Sequence, residues 1–421
     1  MKIYTRYKNS GISWIGDVPE HWNVVRNKNF IDEKDEVVGE KFGDYTLLSL
    51  TKGGVIARDV ESGKGKFPKD FDSYKIVQPG NVIFCLFDVD ETPRTVGLSS
   101  LKGMITGAYD VFEPVNINAR YYTYYFLAVD DRKALRPLYT GLRKVVKKDR
   151  FLACKIPVPP LSEQKEIAEY LDKKTAQINE LVLAKQKQIE LLKEYKQSVI
   201  ENVITGKMNK NSRMKDSGIS WIGKIPENWN VYYLFQKVRE HFISNKEIHH
   251  QNLLSLSYGR IIQKDINKTD GLLPESFDTY QIVENGNVVL RLTDLQNDHK
   301  SLRVGYATQE GIITSAYECL EVFDKSLYSK FFYYQLHSFD VKKMFYGMGG
   351  GLRQNISYNE LRKIRIAYPP LSEQKEIVAY IEKKVASIDS QIASIENQIV
   401  NLSEYKQSLI SDVVTGKVKV C

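Results

Sequence analysis

Long apolar runs are missing from this 421-residue chain. None approaches the roughly 20 residues that a membrane-spanning helix needs, and the opening MKIYTRYKNSGISW lacks the apolar stretch of a secretory signal. The expectation is a cytoplasmic protein with no membrane partner. Cysteine is scarce as well. Cys85, Cys154, Cys319 and Cys421 lie far apart with no CxxC pair, which excludes a disulfide framework and a zinc ribbon. Catalytic signatures are also lacking. There is no GxxxxGK phosphate loop and no HExxH, and the pair His249-His250 has no nearby Cys or His to complete a metal set. The two Pro-Pro pairs follow Val158 and Tyr368 and precede leucine, so neither fits the acid-or-amide, Pro-Pro, aromatic pattern of an amino-methyltransferase. The acidic cluster Asp32-Glu33-Lys34 has no supporting partners for a nuclease site. No catalytic residue, no metal and no cofactor is expected in this chain.

What is present is an ordinary globular composition, 42% apolar and 27% charged, in a chain too long for one core. It is also an internal repeat. SGISWIG at Ser10 to Gly16 returns at Ser217 to Gly223, and VPEHWNV from Val18 returns as IPENWNV from Ile225. PPLSEQKEI from Pro159 returns identically from Pro369, and EYKQSVIENVITGK from Glu194 returns as EYKQSLISDVVTGK from Glu404. Between these anchors the copies match weakly, as in PGNVIF against NGNVVL. Such unevenness predicts flanks that are common docking surfaces and middles that are two different readers.

The middles, roughly Asn23 to Ile156 and Asn230 to Ile366, read as mixed structure with many short strands. Runs such as Val82 to Phe87 and Val288 to Leu292 are entered through Gly-Asn turn signals. The aromatic clusters around Tyr121 to Phe126 and Phe331 to Tyr334 read as a core helix in each middle, with base stacking as the alternative. Each middle ends at a Pro-Pro brake. Ser162 and Ser372 are expected to cap the long helices that follow, and Gly206 and Gly416 to end them. In the second helix Ile381, Ile388, Ile392, Ile395, Ile399, Leu402 and Leu409 keep a four-three spacing, a coiled-coil seam. In the first, Leu171, Ile178, Leu181, Ile189, Leu192 and Val199 keep it less cleanly, with Lys174 and Lys185 at would-be seam positions. Two such helices are expected to satisfy each other as an antiparallel pair.

The net charge is +8. The segments 161–207 and 371–417 carry none of this excess, which falls on the middles and the joining segments and suits a phosphate-facing surface. Candidate DNA-binding residues are Arg143, Lys144, Lys147 and Lys148 in the first copy, and Arg353, Gln354 and Asn355 in the second, each set next to glycines that permit close backbone approach. Arg, Gln and Asn are also the side chains that pair bidentately with guanine or adenine edges. Lys52, Arg94, Tyr258, Arg260, Arg291 and Arg303 complete the set of candidates.

The order SGISWIG, PEHWNV, variable middle, PPLSEQKEI, long helix, all repeated, resembles the specificity subunit of type I restriction-modification systems over nearly the whole chain. The fold that this implies is α+β: two pseudo-two-fold-related, mixed α/β target-recognition domains separated by a pair of long antiparallel coiled-coil helices. The segments are 1–158, 159–207, 208–368 and 369–421, each recognition domain followed by its helix. The resemblance further implies double-stranded DNA as ligand, a bipartite target whose spacer the helices measure, two methyltransferase subunits as partners, and restriction subunits in the full complex. S-adenosylmethionine, ATP and Mg would then sit on those partners. The competing readings are an orphan DNA reader and a coiled-coil scaffold.

Overall fold

In a computed structural model, residues 3–58, 71–207, 212–248, 250–266, 276–296, 298, 301–348 and 355–420 are described. Four helices organise the chain: α1 (Ala119–Asp131), α2 (Leu161–Ile204), α3 (Ser329–Val341) and α4 (Leu371–Val414). At 44 residues each, α2 and α4 run about 66 Å at ~1.5 Å per residue. The chain forms two compact units, residues 1–186 with 396–421 and residues 187–395, so each long helix contributes to both.

The same frame recurs in each unit. In the first, strands Ile31–Glu33, Asp110–Pro114, Val82–Phe84 and Val96–Leu98 form an antiparallel sheet in that spatial order. In the second, Val238–Glu240, Glu318–Val322, Val288–Leu290 and Val304–Tyr306 repeat the order. Against each sheet lies an aromatic helix. Tyr121, Tyr122, Tyr125 and Phe126 of α1 and Phe331 and Phe332 of α3 are all but fully buried. They supply core area, not a stacking platform for bases. The start and end of each middle are tied by a two-stranded antiparallel ribbon, Asn23–Arg26 with Lys155–Val158 and Asn230–Tyr233 with Arg365–Tyr368.

The long helices start one residue before the expected caps. Pro160 and Pro370 carbonyls accept the first helical bonds from Gln164 and Gln374 N–H, so Ser162 and Ser372 lie exposed inside the first turn. Their C-termini follow the expectation. Gly206 and Gly416 take the left-handed conformation, φ +72° and +74°, where a non-glycine residue is strained. A Cβ there would also collide with Pro226 and Pro19 respectively, the prolines of the repeated WNV motif.

Within each unit the two long helices run antiparallel. In the first, Lys185 donates to Gln398 (2.6 Å) and Lys406 to Asn179 (2.8 Å); in the second, Lys196 pairs with Asp389 (2.7 Å). Leu171, Ile178, Ile189, Ile381, Ile388, Ile392, Ile395 and Leu409 are buried, and Leu192, Val199, Ile399 and Leu402 half-buried, as a seam demands. Leu181 is a correction, at 45% exposed. The unbroken four-three phase of α2 is Leu171, Thr175, Ile178, Val182, Lys185, Ile189, Leu192, Lys196, Val199 and Val203, so Val182 takes the place given to Leu181. Lys185 does hold a seam position. Lys174 is displaced from one by Thr175 and lies over the Tyr170 ring, 6.0 Å from its centroid.

Candidate nucleic-acid interface

The repeated PPLSEQKEI motif turns its first Glu and its Gln side chains inward. Trp22 and Trp229 indole N–H groups donate to Glu163 and Glu373 carboxylates, each at 3.0 Å. Tyr4 and His21 add to Glu163, and Asn228 to Glu373. Gln164 and Gln374 receive the backbone N–H of Asn118 and Tyr328 just ahead of the aromatic helices, and donate back to Pro159 and Pro369 carbonyls. These residues, present in both copies, lock helix start, indole and aromatic helix together. Pro160, Ser162, Lys165 and Glu166, their counterparts Pro370, Ser372, Lys375 and Glu376, and a half-exposed Leu161 leave the motif a surface for docking.

The basic candidates of the first copy meet acids. Arg143 pairs with Asp88 at 2.7 Å and lies over the Phe87 ring; Lys144 lies 3.3 Å from Asp90 and 3.6 Å from Glu91. The Asp88 hydrogen bond raises the Arg143 guanidinium above its usual value. Lys148 bridges Glu33 and Asp110, whose carboxylates raise it against the lowering effect of burial. Lys147, at the N-cap of the short helix Lys148–Ala153, and Arg150 inside it are exposed. This rim therefore alternates in sign instead of forming one uniform basic patch. Arg94 is a clearer correction. Its guanidinium is mostly buried, 2.9 Å from Asp131 and 3.2 Å from Asp130 at the end of α1. It is held by the fold through these two carboxylates.

In the second copy Arg303 is fully buried. Its guanidinium donates to the carbonyls of Arg291, Thr293, Asp294 and Asp298 and to the Tyr346 hydroxyl. A charge read as a DNA contact is thus the internal clamp of the loop that carries Arg291. That loop is tied from the other side by Asn355, whose amide oxygen accepts the Asp294 N–H at 3.0 Å. Asp294 sits at φ +57°. Arg291 itself is partly exposed and 3.9 Å from Asp298. Arg353 and Gln354 lie outside the described residues, as does His249.

Two hairpins present the remaining candidates. Strands Leu48–Thr51 and Gly54–Ala57 carry Lys52, exposed, at their tip; Leu254–Ser257 and Arg260–Gln263 carry Tyr258, 80% exposed, at the equivalent tip. Arg260 lies beside it, exposed, 3.9 Å from Asp389 of α4. Sequence reasoning missed the inward roles of Glu163, Gln164 and Arg303. For the first two the signal was available: a polar residue kept in both copies at the start of a helix is as well explained by a repeated internal bond as by a repeated partner.

Among the described residues no cluster of His, Cys, Asp and Glu could hold a metal ion, and no helix is long and apolar enough to cross a membrane.

Comparison with known proteins places this geometry. The family model described as the type I restriction modification DNA specificity domain matches residues 105–191 and 282–401, one stretch from each copy. A putative type I restriction enzyme MjaX specificity subunit from Methanocaldococcus jannaschii is 24% identical, with 96% of each chain covered. The MjaVIII specificity subunit of the same organism is 25% identical over 96% of this chain and 94% of its own. Among solved structures, a chain from a study of complex assembly and conformational transition of the type I R-M system superposes with a TM-score of 0.66 at 14% identity, covering 95% of this chain and 99% of that one. The HsdS subunit from Thermoanaerobacter tengcongensis gives 0.51 at 15% identity, covering 95% and 98%. These two share the fold.

Proposed function

The chain belongs to the specificity subunits of type I restriction-modification systems, and from that premise we propose that its two middles read the two halves of one split DNA target. It is the reading, non-catalytic subunit. The observation that carries the proposal is the contrast within the repeat: frames of the same strand order hold two hairpin tips of different chemistry. A reader that served one sequence twice would have no reason to differ at the exposed hairpin tips, Lys52 and Tyr258, while keeping Trp22 and Trp229 on the equivalent glutamate.

Two modest interfaces on one scaffold bind as a single specific site when both engage together. The long helices fix the span between the halves, and their polar seam residues fix the register of that span. Two methyltransferase subunits dock on the repeated flanks, one for each half-site, with restriction subunits joining in the full complex. S-adenosylmethionine, ATP and Mg belong to those partners. The work is done in the cytoplasm, where the DNA is.

The test is genome-wide adenine methylation in cells carrying this chain with its methyltransferase subunit, compared with cells lacking only this chain. A split motif with a fixed spacer that disappears with the chain is the expected result. Methylation unchanged by its loss would refute the reading.

A further inference from the structure

The two hairpin tips occupy the same place in the frame and differ in chemistry. Both hairpins are braced from below. A Cβ on Gly97 would collide with Leu50 and Val55 of the first hairpin, and a Cβ on Gly305 with Leu256 and Ile261 of the second. Close packing of strand on hairpin leaves the tips little freedom, as base readout requires.

The second tip carries a conformational cost. Ser257 pairs with Arg260 across a two-residue turn, and both turn residues have positive φ, Tyr258 at +46° and Gly259 at +77°. That is the geometry of a type I′ turn, whose first position favours Asn, Asp or Gly. A tyrosine there is strained, because its Cβ crowds the backbone in the left-handed region. Strain of this kind on an exposed residue marks a position kept for something other than folding. The ring gains no burial in return, since Tyr258 is 80% exposed. The first hairpin shows no such conflict. Lys52 has an ordinary φ, and the positive φ falls on Gly54, at +105°.

We propose that Tyr258 is a specificity residue of the second half-site, its ring packing against bases of the target, while Lys52 at the equivalent tip contacts backbone phosphate in the first. The inference rests on the two-reader function proposed above and adds the mode of contact. Apolar contact of the ring with a base edge in the major groove, such as a thymine methyl, discriminates that position by on the order of tenfold or more, and being uncharged it adds nothing to the salt dependence. A lysine on phosphate contributes charge, carries no base information, and makes binding salt-dependent. Arg260, exposed on the same hairpin beside the ring, adds positive charge where the backbone of that half-site would run.

The experiment uses the full chain assembled with its methyltransferase subunit, with two readouts: the methylated motif, and the slope of log affinity against log salt on a motif-bearing duplex. Tyr258→Asn supplies the residue that the turn prefers, so the hairpin melts no lower than wild type while the ring is gone. It is expected to relax one or two adjacent positions of one half-site by about tenfold, leaving the other half-site, the spacer and the salt slope unchanged. Tyr258→Phe keeps the ring and is expected to keep the motif. Lys52→Ala is expected to weaken binding without changing the motif and to reduce the salt slope by about 0.9. A Tyr258→Asn complex that retains the full motif and affinity overturns the proposal, as does one whose only defect is a smaller salt slope. A wild-type complex with no chain-dependent motif is a different failure, that of the two-reader function itself, and it shows before any variant is made.

Discussion

The lysine of the repeated EYKQS motif meets a different partner in each unit. In the second, Lys196 pairs with the Asp389 carboxylate; in the first, its counterpart Lys406 meets the Asn179 amide. Burial, with Arg94 nearby, lowers the Lys406 ammonium below its usual 10.5. The same frame thus tolerates a compensated cation in one seam and an amide-solvated one in the other. Polar residues in such seams commonly set register at some cost in stability. What is shared between the units is position; what differs is how each has been tuned.

The largest difference expected between the units concerns the reading loops. Arg303→Met leaves the carbonyls of Arg291, Thr293, Asp294 and Asp298 without their donor, and should cost about 3–5 kcal/mol. Thr95→Val at the corresponding place in the first unit should cost less than about 1 kcal/mol, because Thr95 holds Asp130 through its backbone N–H, which the substitution keeps. Native-state hydrogen exchange, read separately in α1 and α3, checks both. Equal losses would show that the clamp is not particular to the second reader.

Acid should separate the units next. Burial, with Lys196 nearby, lowers His337 of α3 from 6.5 to about 4, whereas the corresponding residue of α1, Leu127, does not titrate. Between these two values the unfolded chain binds the proton and the folded one does not, so stability rises with pH across that window. As pH falls from 6.5 to 4 the second unit should lose up to about 3 kcal/mol that this residue does not cost the first. Exchange protection of α3 against α1 over that range measures it, and His337→Leu should abolish the difference.

The smallest effect is in the seam. Asn179→Asp should stabilise the first unit, and Asp389→Asn destabilise the second, each by about 1 kcal/mol. With its folded-state value lowered, Lys406 makes the first seam more stable as pH rises toward 10.5, because the unfolded chain holds that proton longer. Asn179→Asp should remove this dependence. Urea titrations between pH 8 and 10 are the check.

Much of this was legible in the sequence because the repeat prints the frame twice. Helix extents, the glycine ends and the core role of the aromatic clusters followed from spacing and composition. Leu181 failed for a physical reason: the seam accepts Thr175 and Lys185 in phase while an apolar residue sits out of phase on the surface, so hydrophobicity alone misplaces it. Arg303 and Arg94 failed for another. Arg94 is satisfied by Asp130 and Asp131, remote in sequence, and Arg303 by backbone carbonyls of its own preceding loop, and neither kind of partner shows as a local side-chain pattern. The pairing of Arg143 and Lys144 with Asp88 and Asp90 is hidden in the same way, some 55 residues apart along the chain for Arg143 and Asp88.

The central claim is that one frame carries two independent readers. Its most direct test is a chain in which residues 230–366 also replace residues 23–156, assembled with the methyltransferase subunit and assayed for its methylated motif. The account predicts that both halves of the target become the same sequence on opposite strands, separated by the original spacer. A motif that keeps the first half-site, or loses its fixed spacing, would contradict it.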